Sequence, residues 1–306
     1  MHDWKREQLI GFSIKSFAEL ERIVGFDIVN MVEIKPEKFS RNGTPLYGYE
    51  NGIFTPCHDV LERIRSSAIS MKIQFHLPIE SGRISESREC GLNIGIKDHW
   101  NIYLRKFLMF EMIFKEYHMG NILTLHPPLT TLKGKRLIDD DEALKNAKGF
   151  FELLDRIRLE KNHATLIGVE NQTDPKVLGG NIGFMPGHFR RMLKGTRTIG
   201  LTLDTGHRRL TRTTPEKLEF RTRDLLATGI PIVNVHFQGN HARFNAKNFD
   251  DDEHLLPDKN NITGYDNHIR WFRRMRPSIV LEISHLERYT DDELVAYVTN
   301  LKKELE

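Results

Sequence analysis

Short apolar runs recur along the whole chain, separated by longer amphipathic stretches. Most of these runs are near-continuous in Val, Ile and Leu and do not alternate with polar residues. That pattern is typical of parallel strands that are covered on both faces. The eight predicted strands are Leu9–Ile14, Ile28–Ile34, Lys72–Leu77, Asn121–His126, Thr165–Glu170, Thr198–Asp204, Ile232–Phe237 and Ser278–Ile283.

Between the predicted strands, apolar residues are spaced three and four apart, which indicates helices. Several of these stretches begin with capping signals, such as the acidic residues from Asp139, Thr214 before Pro215, and Thr290 before three acidic residues. The predicted helices are Ser16–Ile23, His58–Ser70, Asp98–Tyr117, Asp139–Lys161, Phe184–Leu193, Thr214–Ala227, Thr263–Met275 and Thr290–Leu305.

Eight strand–helix units in 306 residues predict an α/β fold, a single-domain (β/α)8 TIM barrel that covers residues 1–306. An open, doubly wound sheet would show the same alternation. The segment GFSIKSF after the first strand lacks the Gly-rich phosphate loop of a dinucleotide fold, which favours the barrel. Two segments, at about 38–57 and 238–263, are predicted to be long loops, and such loops are often functional.

Composition narrows the class of protein. The chain is 28% charged with a net charge of +3 and a mean hydropathy of −0.46, and its apolar runs fall short of the ~20 residues that a membrane span requires. No secretory signal is visible at the start, so we interpret the protein as cytoplasmic. Cys57 and Cys90 are the only cysteines. Their number and spacing argue against a disulfide framework or a Cys-based zinc site.

Arginine is concentrated in one stretch of the sequence. A cluster of one charge sign can attract a phosphate-bearing ligand or nucleic acid. Acidic residues at Glu216, Glu219 and Asp224 lie within the stretch, so a mixed solvated face is the alternative interpretation. The arginines are Arg190, Arg191, Arg197, Arg208, Arg209, Arg212, Arg221 and Arg223.

Potential metal ligands fall at or just after the ends of the predicted strands. A single such residue is usually a polar side chain with an ordinary hydrogen bond, or a helix cap. The carboxyl ends of barrel strands surround one mouth, however, so potential ligands at the ends of several strands favour a shared site. Imidazole and carboxylate together suit borderline ions such as zinc or manganese. Without cations, clustered acids would repel one another. The nine candidates are His76, His126, Glu170, Asp204, His207, His236, Asp252, His254 and Glu282.

In their order along the chain, these motifs resemble those of the xylose isomerase-like TIM barrels, and most closely those of the endonuclease IV type (AP endonuclease family 2). The series covers nearly the whole chain: His76, His126-Pro127, Glu170, Asp204-Thr205-Gly206-His207, His236, Asp252-Glu253-His254 and Glu282. The resemblance implies that Glu170 bridges one ion on His76 and His126 and a second on Asp204, His236 and Glu282. A third ion would lie on His207, Asp252 and His254. The implied cofactors are two or three zinc ions, with manganese or iron as alternatives.

For activity, the resemblance implies a metal-dependent hydrolase that cleaves a phosphodiester, such as abasic-site DNA, by a metal-bound hydroxide. Glu170 and Glu282 are the candidate catalytic residues. The expected partner is a phosphate-bearing substrate or DNA, with no membrane, and the oligomeric state is left open. His241, Arg243 and Arg208 are candidate substrate contacts, because they lie near the motifs in segments expected at the mouth.

The alternative hypothesis is a sugar or sugar-phosphate isomerase or epimerase with one divalent ion. In relatives of that type, the equivalents of Glu170, Asp204, His236 and Glu282 hold the ion, and the two glutamates exchange protons with the substrate. The sequence also departs from the endonucleases after His236, where HFQGN replaces an H-x-N-D-S type stretch. A non-catalytic barrel that binds a partner through its long loops is a third interpretation, but it leaves the acid cluster unexplained.

Overall fold

The computed structural model describes residues 8–50, 53–77, 81–85, 88–91, 93–132, 135–163, 165–173, 182–207, 223–241, 253–262 and 264–306. Strands are numbered along the chain. They are β1 (Ile10–Ile14), β2 (Met31–Ile34), β3 (Tyr47–Glu50), β4 (Ile53–Pro56), β5 (Lys72–Leu77), β6 (Ser81–Ser85), β7 (Arg88–Gly91), β8 (Ile122–Leu125), β9 (Thr131–Leu132), β10 (Lys135–Arg136), β11 (Leu166–Glu170), β12 (Ile199–Asp204), β13 (Ile232–Phe237) and β14 (Ser278–Leu281).

Eight of these strands form a closed parallel barrel in the order β1, β2, β5, β8, β11, β12, β13, β14. Each pairs with the next barrel strand along the chain, and β1 closes the ring against β14 with Phe12 opposite Leu281. Each predicted strand contains one barrel strand. The predicted single-domain (β/α)8 barrel is therefore confirmed, and the open sheet is excluded.

The helices are α1 (Phe17–Val24), α2 (Pro36–Arg41), α3 (His58–Ser67), α4 (Trp100–Glu116), α5 (Asp140–Glu160), α6 (Pro186–Leu193), α7 (Tyr265–Met275) and α8 (Asp291–Leu305). Local capping explains several starts: Ser16 accepts a hydrogen bond from the Glu19 N–H, and Thr290 with Glu293 forms a capping box before α8. The predicted helix Thr214–Ala227 lies mostly outside the described residues, which show helix at 223–226. Within the described ranges, no helix has the length and apolar character needed to cross a membrane.

The segment at about 38–57, predicted to be a long loop, contains regular structure. Helix α2 ends inside it, and β3 and β4 form an antiparallel hairpin. Pro36 at the first position of α2 is preorganised for a helix, and the dipeptide Asn51-Gly52 between the two strands is a strong hairpin signal in the sequence. The hairpin packs on α4, where the rings of Tyr47 and Phe110 are 5.9 Å apart.

Two further hairpins follow barrel strands, β6–β7 after β5 and β9–β10 after β8. In the predicted loop at 238–263, the described residues include a bridge between Gly239 and Leu255. These connections begin at the carboxyl ends of the barrel strands, the end of a barrel at which active sites form.

The barrel interior is polar just below the carboxyl ends of the strands. The Thr124 hydroxyl lies 3.3 Å from that of Thr202, and the Asn234 side chain donates to Thr124 at 3.1 Å and lies within the hydrogen-bonding range of Gln74. All four side chains are buried. Since side chains two residues apart on a strand share a face, the next inward-facing positions belong to the mouth.

Candidate metal centre

Six of the nine candidate ligands occupy the inward-facing layer at the mouth of the barrel. Strand alternation explains the placement, because each ligand stands two residues after an inward-facing residue of the same strand. His76 follows Gln74 in this way, and His236 follows Asn234. The six residues are His76, His126, Glu170, Asp204, His236 and Glu282, and five of them are buried, with His126 partly exposed.

The first ligand group consists of His76, His126 and Glu170. The two imidazole Nε2 atoms are 3.0 Å apart, and they lie 3.1 and 2.7 Å from Glu170 Oε2, respectively. The strands that carry these residues, β5, β8 and β11, are neighbours in the barrel. The group is the one that the resemblance assigns to a first ion.

The second ligand group consists of Glu170, Asp204, His236 and Glu282. His236 Nδ1 lies 3.3 Å from Glu170 Oε1, 3.8 Å from Asp204 Oδ2 and 2.8 Å from Glu282 Oε2. Asp204 is further fixed by the Gln238 amide, which donates to Oδ2 at 2.7 Å. Glu170 therefore presents Oε2 to the first group and Oε1 to the second.

The spacing of these atoms fits divalent ions. For ligands about 2.1 Å from a shared ion, neighbouring ligand atoms stand roughly 3.0–3.4 Å apart. The distances around Glu170 Oε2 and His236 Nδ1 bracket that range, and all donors are oxygen or imidazole nitrogen. The second group also places three buried carboxylates together, an arrangement that an ion would stabilise.

The charged side chains at the mouth shift one another's pKa values. Burial alone would raise the pKa of Glu170, but His126 and His236 hold that pKa well below its usual value. Burial likewise opposes ionisation of Glu282, yet Lys35 and His236 lower its pKa. Burial, with the nearby Glu170 and Glu282 carboxylates, raises the pKa of Asp204 to about 7 although His207 opposes the shift.

The pKa values of the histidine rings are set by the same balance between burial and nearby charges. Burial lowers the pKa of His126, and Glu170 only partly offsets it. Burial would also lower the pKa of His236, but Glu33, Glu282 and Glu170 raise it well above its usual value. His236 and Lys35 are therefore the cationic groups that the acidic residues of the mouth surround.

His207 and His254, two residues of the predicted third ion, lie on the rim of the mouth. The His207 ring donates from Nδ1 to the Asn171 carbonyl at 3.0 Å, and His254 donates from Nδ1 to the Glu282 carbonyl at 3.2 Å. Their ring centroids are 6.4 Å apart. The third predicted ligand, Asp252, lies outside the described residues.

Sequence reasoning did not identify two charged residues of the mouth. Glu33, near the end of β2, lies 3.1 Å from His236 Nε2 through its Oε2 atom. Lys35, just after β2, forms a buried ion pair with Glu282 Oε1. The signal was a Glu within an apolar run followed by a Lys, the same kind of strand-end position that singled out the other ligands.

The candidate substrate contacts are only partly described. His241 is exposed, its ring lies 3.4 Å from Glu253 Oε2, and it contacts none of the six clustered ligands in the described part of the chain. Arg208 and Arg243 lie outside the described residues. Among the other arginines, Arg191 forms an exposed ion pair with Asp141.

The sequence matches no protein-family profile and no curated protein. Solved structures share its fold. Two structures of D-psicose 3-epimerase, one with D-fructose and one from Clostridium cellulolyticum H10 with D-tagatose, are 10% and 9% identical, with TM-scores of 0.62 and 0.63. The 3-keto-D-glucoside 4-epimerase of E. coli is 13% identical with a TM-score of 0.55. Each alignment covers 97% of this chain and 99% of the other.

At these identities the comparison establishes the fold alone, a (β/α)8 TIM barrel. The expectation of that broader fold is confirmed, whereas these neighbours do not support the endonuclease IV type specifically. The named neighbours are sugar epimerases, but at these identities the likeness assigns no activity to this chain. The number and identity of the ions remain predictions.

Proposed function

We propose that the protein is a sugar or sugar-phosphate isomerase or epimerase that uses a divalent ion and the acid–base pair Glu170 and Glu282. The observation that carries the proposal is the buried group of Glu170, Asp204, His236 and Glu282 at the mouth of a barrel whose named neighbours are sugar epimerases. This group contains a complete set of oxygen and nitrogen donors together with two carboxylates able to exchange protons.

The reaction requires removal of a proton from the carbon beside a carbonyl group. The C–H electron pair moves into an enediolate, and a proton returns to the same carbon for epimerisation or to its neighbour for isomerisation. Glu170 ends β11 and Glu282 directly follows β14. Because β12 and β13 lie between these strands in the ring, the two carboxylates can approach a substrate from two sides. Proton transfer by positioned carboxylates is a standard source of rate enhancement.

Each glutamate has one oxygen fixed by neighbours. Glu282 Oε1 is held by Lys35, which leaves Oε2, the oxygen beside His236, to exchange the proton. Glu170 Oε2 is held by His76 and His126, whereas Oε1 faces the second ligand group, 3.3 Å from the Nδ1 atoms of His236 and His207, and is assigned the same role. A divalent ion on the second ligand group would polarise the carbonyl and hydroxyl oxygens of the sugar.

In this account His76 and His126 orient Glu170 through their Nε2 atoms. A phosphate-bearing substrate stays a prediction. We expect the substrate to be a ketose or keto-sugar, because proton removal needs an adjacent carbonyl and the D-psicose 3-epimerase neighbours were solved with the ketoses D-fructose and D-tagatose.

The test is turnover of a panel of ketopentoses, ketohexoses and 3-keto-glucosides, each with its phosphate ester, by protein loaded with Mn²⁺. Glu170→Gln and Glu282→Gln should each lose at least about a thousandfold in kcat, as expected for a proton-transfer group within a preorganised site. Thr290→Ala, at the start of α8, is the matched control and should retain full turnover. Full activity of Glu170→Gln would show that the central assignment is wrong.

The second candidate is the metal-dependent phosphoesterase. The observation in its favour is the first ligand group, because His76 and His126 converge on Glu170 and a one-ion isomerase does not need them as ligands. Elemental analysis of protein purified without chelators, alongside incubation with an abasic-site DNA duplex, separates the two. Two or more ions with duplex cleavage would favour the phosphoesterase, and one ion with ketose turnover would favour the isomerase.

A further inference from the structure

Below the metal-binding face of His236, the barrel holds a second carboxylate that is absent from the predicted ligand set. Glu33 comes from β2, and His236 from β13, with two strands between them in the ring. Both side chains are completely buried. Glu33 Oε2 lies 3.1 Å from His236 Nε2, the ring nitrogen that faces away from the other carboxylates.

Glu33 is itself held in place by neutral amides. Its Oε2 atom accepts hydrogen bonds from Gln74 Nε2 and Asn234 Nδ2, each at 3.2 Å. Gln74 also lies 3.3 Å from Asn234 Oδ1, which ties the two amides together. The carboxylate is therefore fixed from β5 and β13 before any ligand arrives.

The hydrogen bonds around His236 place a proton on its Nε2 atom. Asn234 has two N–H donors, and they go to Glu33 Oε2 and to the Thr124 hydroxyl at 3.1 Å. Asn234 Nδ2 lies 3.4 Å from His236 Nε2, but neither of its N–H groups is left to donate to that ring nitrogen. Because a carboxylate only accepts, the contact between Glu33 and Nε2 requires a proton on Nε2.

We propose that Glu33 is a positioning residue that fixes His236 with its proton on Nε2 and the lone pair of Nδ1 directed at the ion. The inference rests on the metal site of the proposed function and on nothing about the sugar. Nδ1 is the nitrogen that faces Glu170, Asp204 and Glu282 at 2.8 to 3.8 Å. A carboxylate behind a ligating histidine orients the ring and increases its basicity, and loss of such a partner weakens metal binding about 10- to 100-fold.

The first test is calorimetric titration with MnCl₂ of chelator-treated protein. Glu33→Gln keeps the volume of the side chain and removes its charge, and we expect its dissociation constant for Mn²⁺ to rise about 10- to 100-fold. Thr202→Val is the matched control, since Thr202 lies in the same buried polar layer and contacts Thr124, but neither Glu33 nor His236 among the described residues. It should bind Mn²⁺ as the wild type does.

An unchanged affinity in Glu33→Gln would overturn the proposal, because Glu33 would then not position the ligand. An equal loss in Thr202→Val would also overturn it, because the effect would then come from packing of the polar layer.

The second test needs no variant. In ¹⁵N-histidine spectra of the Zn²⁺-loaded wild type, His236 should carry its proton on Nε2 with Nδ1 bound to the ion, and a proton on Nδ1 would refute the inference. Both measurements omit sugar, so their failure is distinguishable from failure of the proposed reaction.

Discussion

The ion pair between Lys35 and Glu282 gives a prediction with a defined magnitude. Both side chains are buried, with relative exposures of 10% and 4%. Lys35 also experiences the charges of Glu33 and Glu170, and these with Glu282 raise its pKa above the usual value even though burial opposes that shift. Lys35→Met keeps much of the apolar stem but removes the cation at Glu282 Oε1, so that only His236 remains beside this buried carboxylate.

Removal of one partner from a buried ion pair costs roughly 3–5 kcal/mol. With a urea m-value of about 3 kcal/mol per M, at the upper end for small proteins, the unfolding midpoint of the ion-free variant should fall by about 1 to 1.7 M. Equilibrium urea unfolding, followed by circular dichroism in chelator, measures this shift. Lys259→Met is the control, because Lys259 and Asp266 form an exposed pair, and its midpoint should not move measurably.

The double variant Lys35→Met with Glu282→Gln provides the stricter test. Replacing both partners removes the unpaired charge, and replacement of a buried pair is often neutral or stabilising. The urea unfolding midpoint of the double variant should therefore return most of the way to the wild-type value. A wild-type midpoint in Lys35→Met, or a double variant no more stable than the single one, would refute the assignment of Lys35 as the buried cation of Glu282.

Three further outcomes follow from particular residues. In chelator, Asp204 stays protonated to about pH 7 in the folded protein but ionises near 3.8 when unfolded, so it destabilises the wild type progressively as pH rises through that window. The stability of Asp204→Asn relative to wild type should therefore increase from pH 4 to 7 in urea titrations, and a flat difference would contradict the burial argument. Saturating Mn²⁺ at a hundredfold excess over the dissociation constant should stabilise the wild type by about 2.7 kcal/mol in the same assay, whereas Asp204→Asn should need more ion for that gain. Thr290→Ala should lose about 1 kcal/mol of stability with its capping box while metal affinity stays unchanged, and a change in affinity would show that α8 and the mouth are coupled.

Much of the fold was predictable from the sequence, because the barrel strands are short, mostly buried runs rich in Ile, Val, Leu and Phe. The ligands at strand ends were predictable for a related reason. Residues such as His76 and Glu170 are polar or charged side chains at the ends of apolar runs, where an ordinary polar residue would add no stability. The closure of the ring then brings them together.

The remainder depended on tertiary contacts. Lys35 and Glu282 are 247 residues apart, and nothing in the local pattern of either residue indicates that they pair. Glu33 has the strand-end position of a ligand, yet it faces the far side of His236, and only the geometry shows that. The β3–β4 hairpin, in contrast, had an Asn-Gly signal in the sequence, and its prediction as a loop gave that signal too little weight.

The most direct measurement of the central claim is deuterium incorporation from D₂O into a ketose by the Mn²⁺-loaded protein, read by NMR. The account predicts exchange of the proton on the carbon beside the carbonyl, lost in both Glu170→Gln and Glu282→Gln and retained in Thr290→Ala. Cleavage of an abasic-site duplex by protein that exchanges no sugar proton would contradict the account and assign the metal centre to phosphodiester hydrolysis.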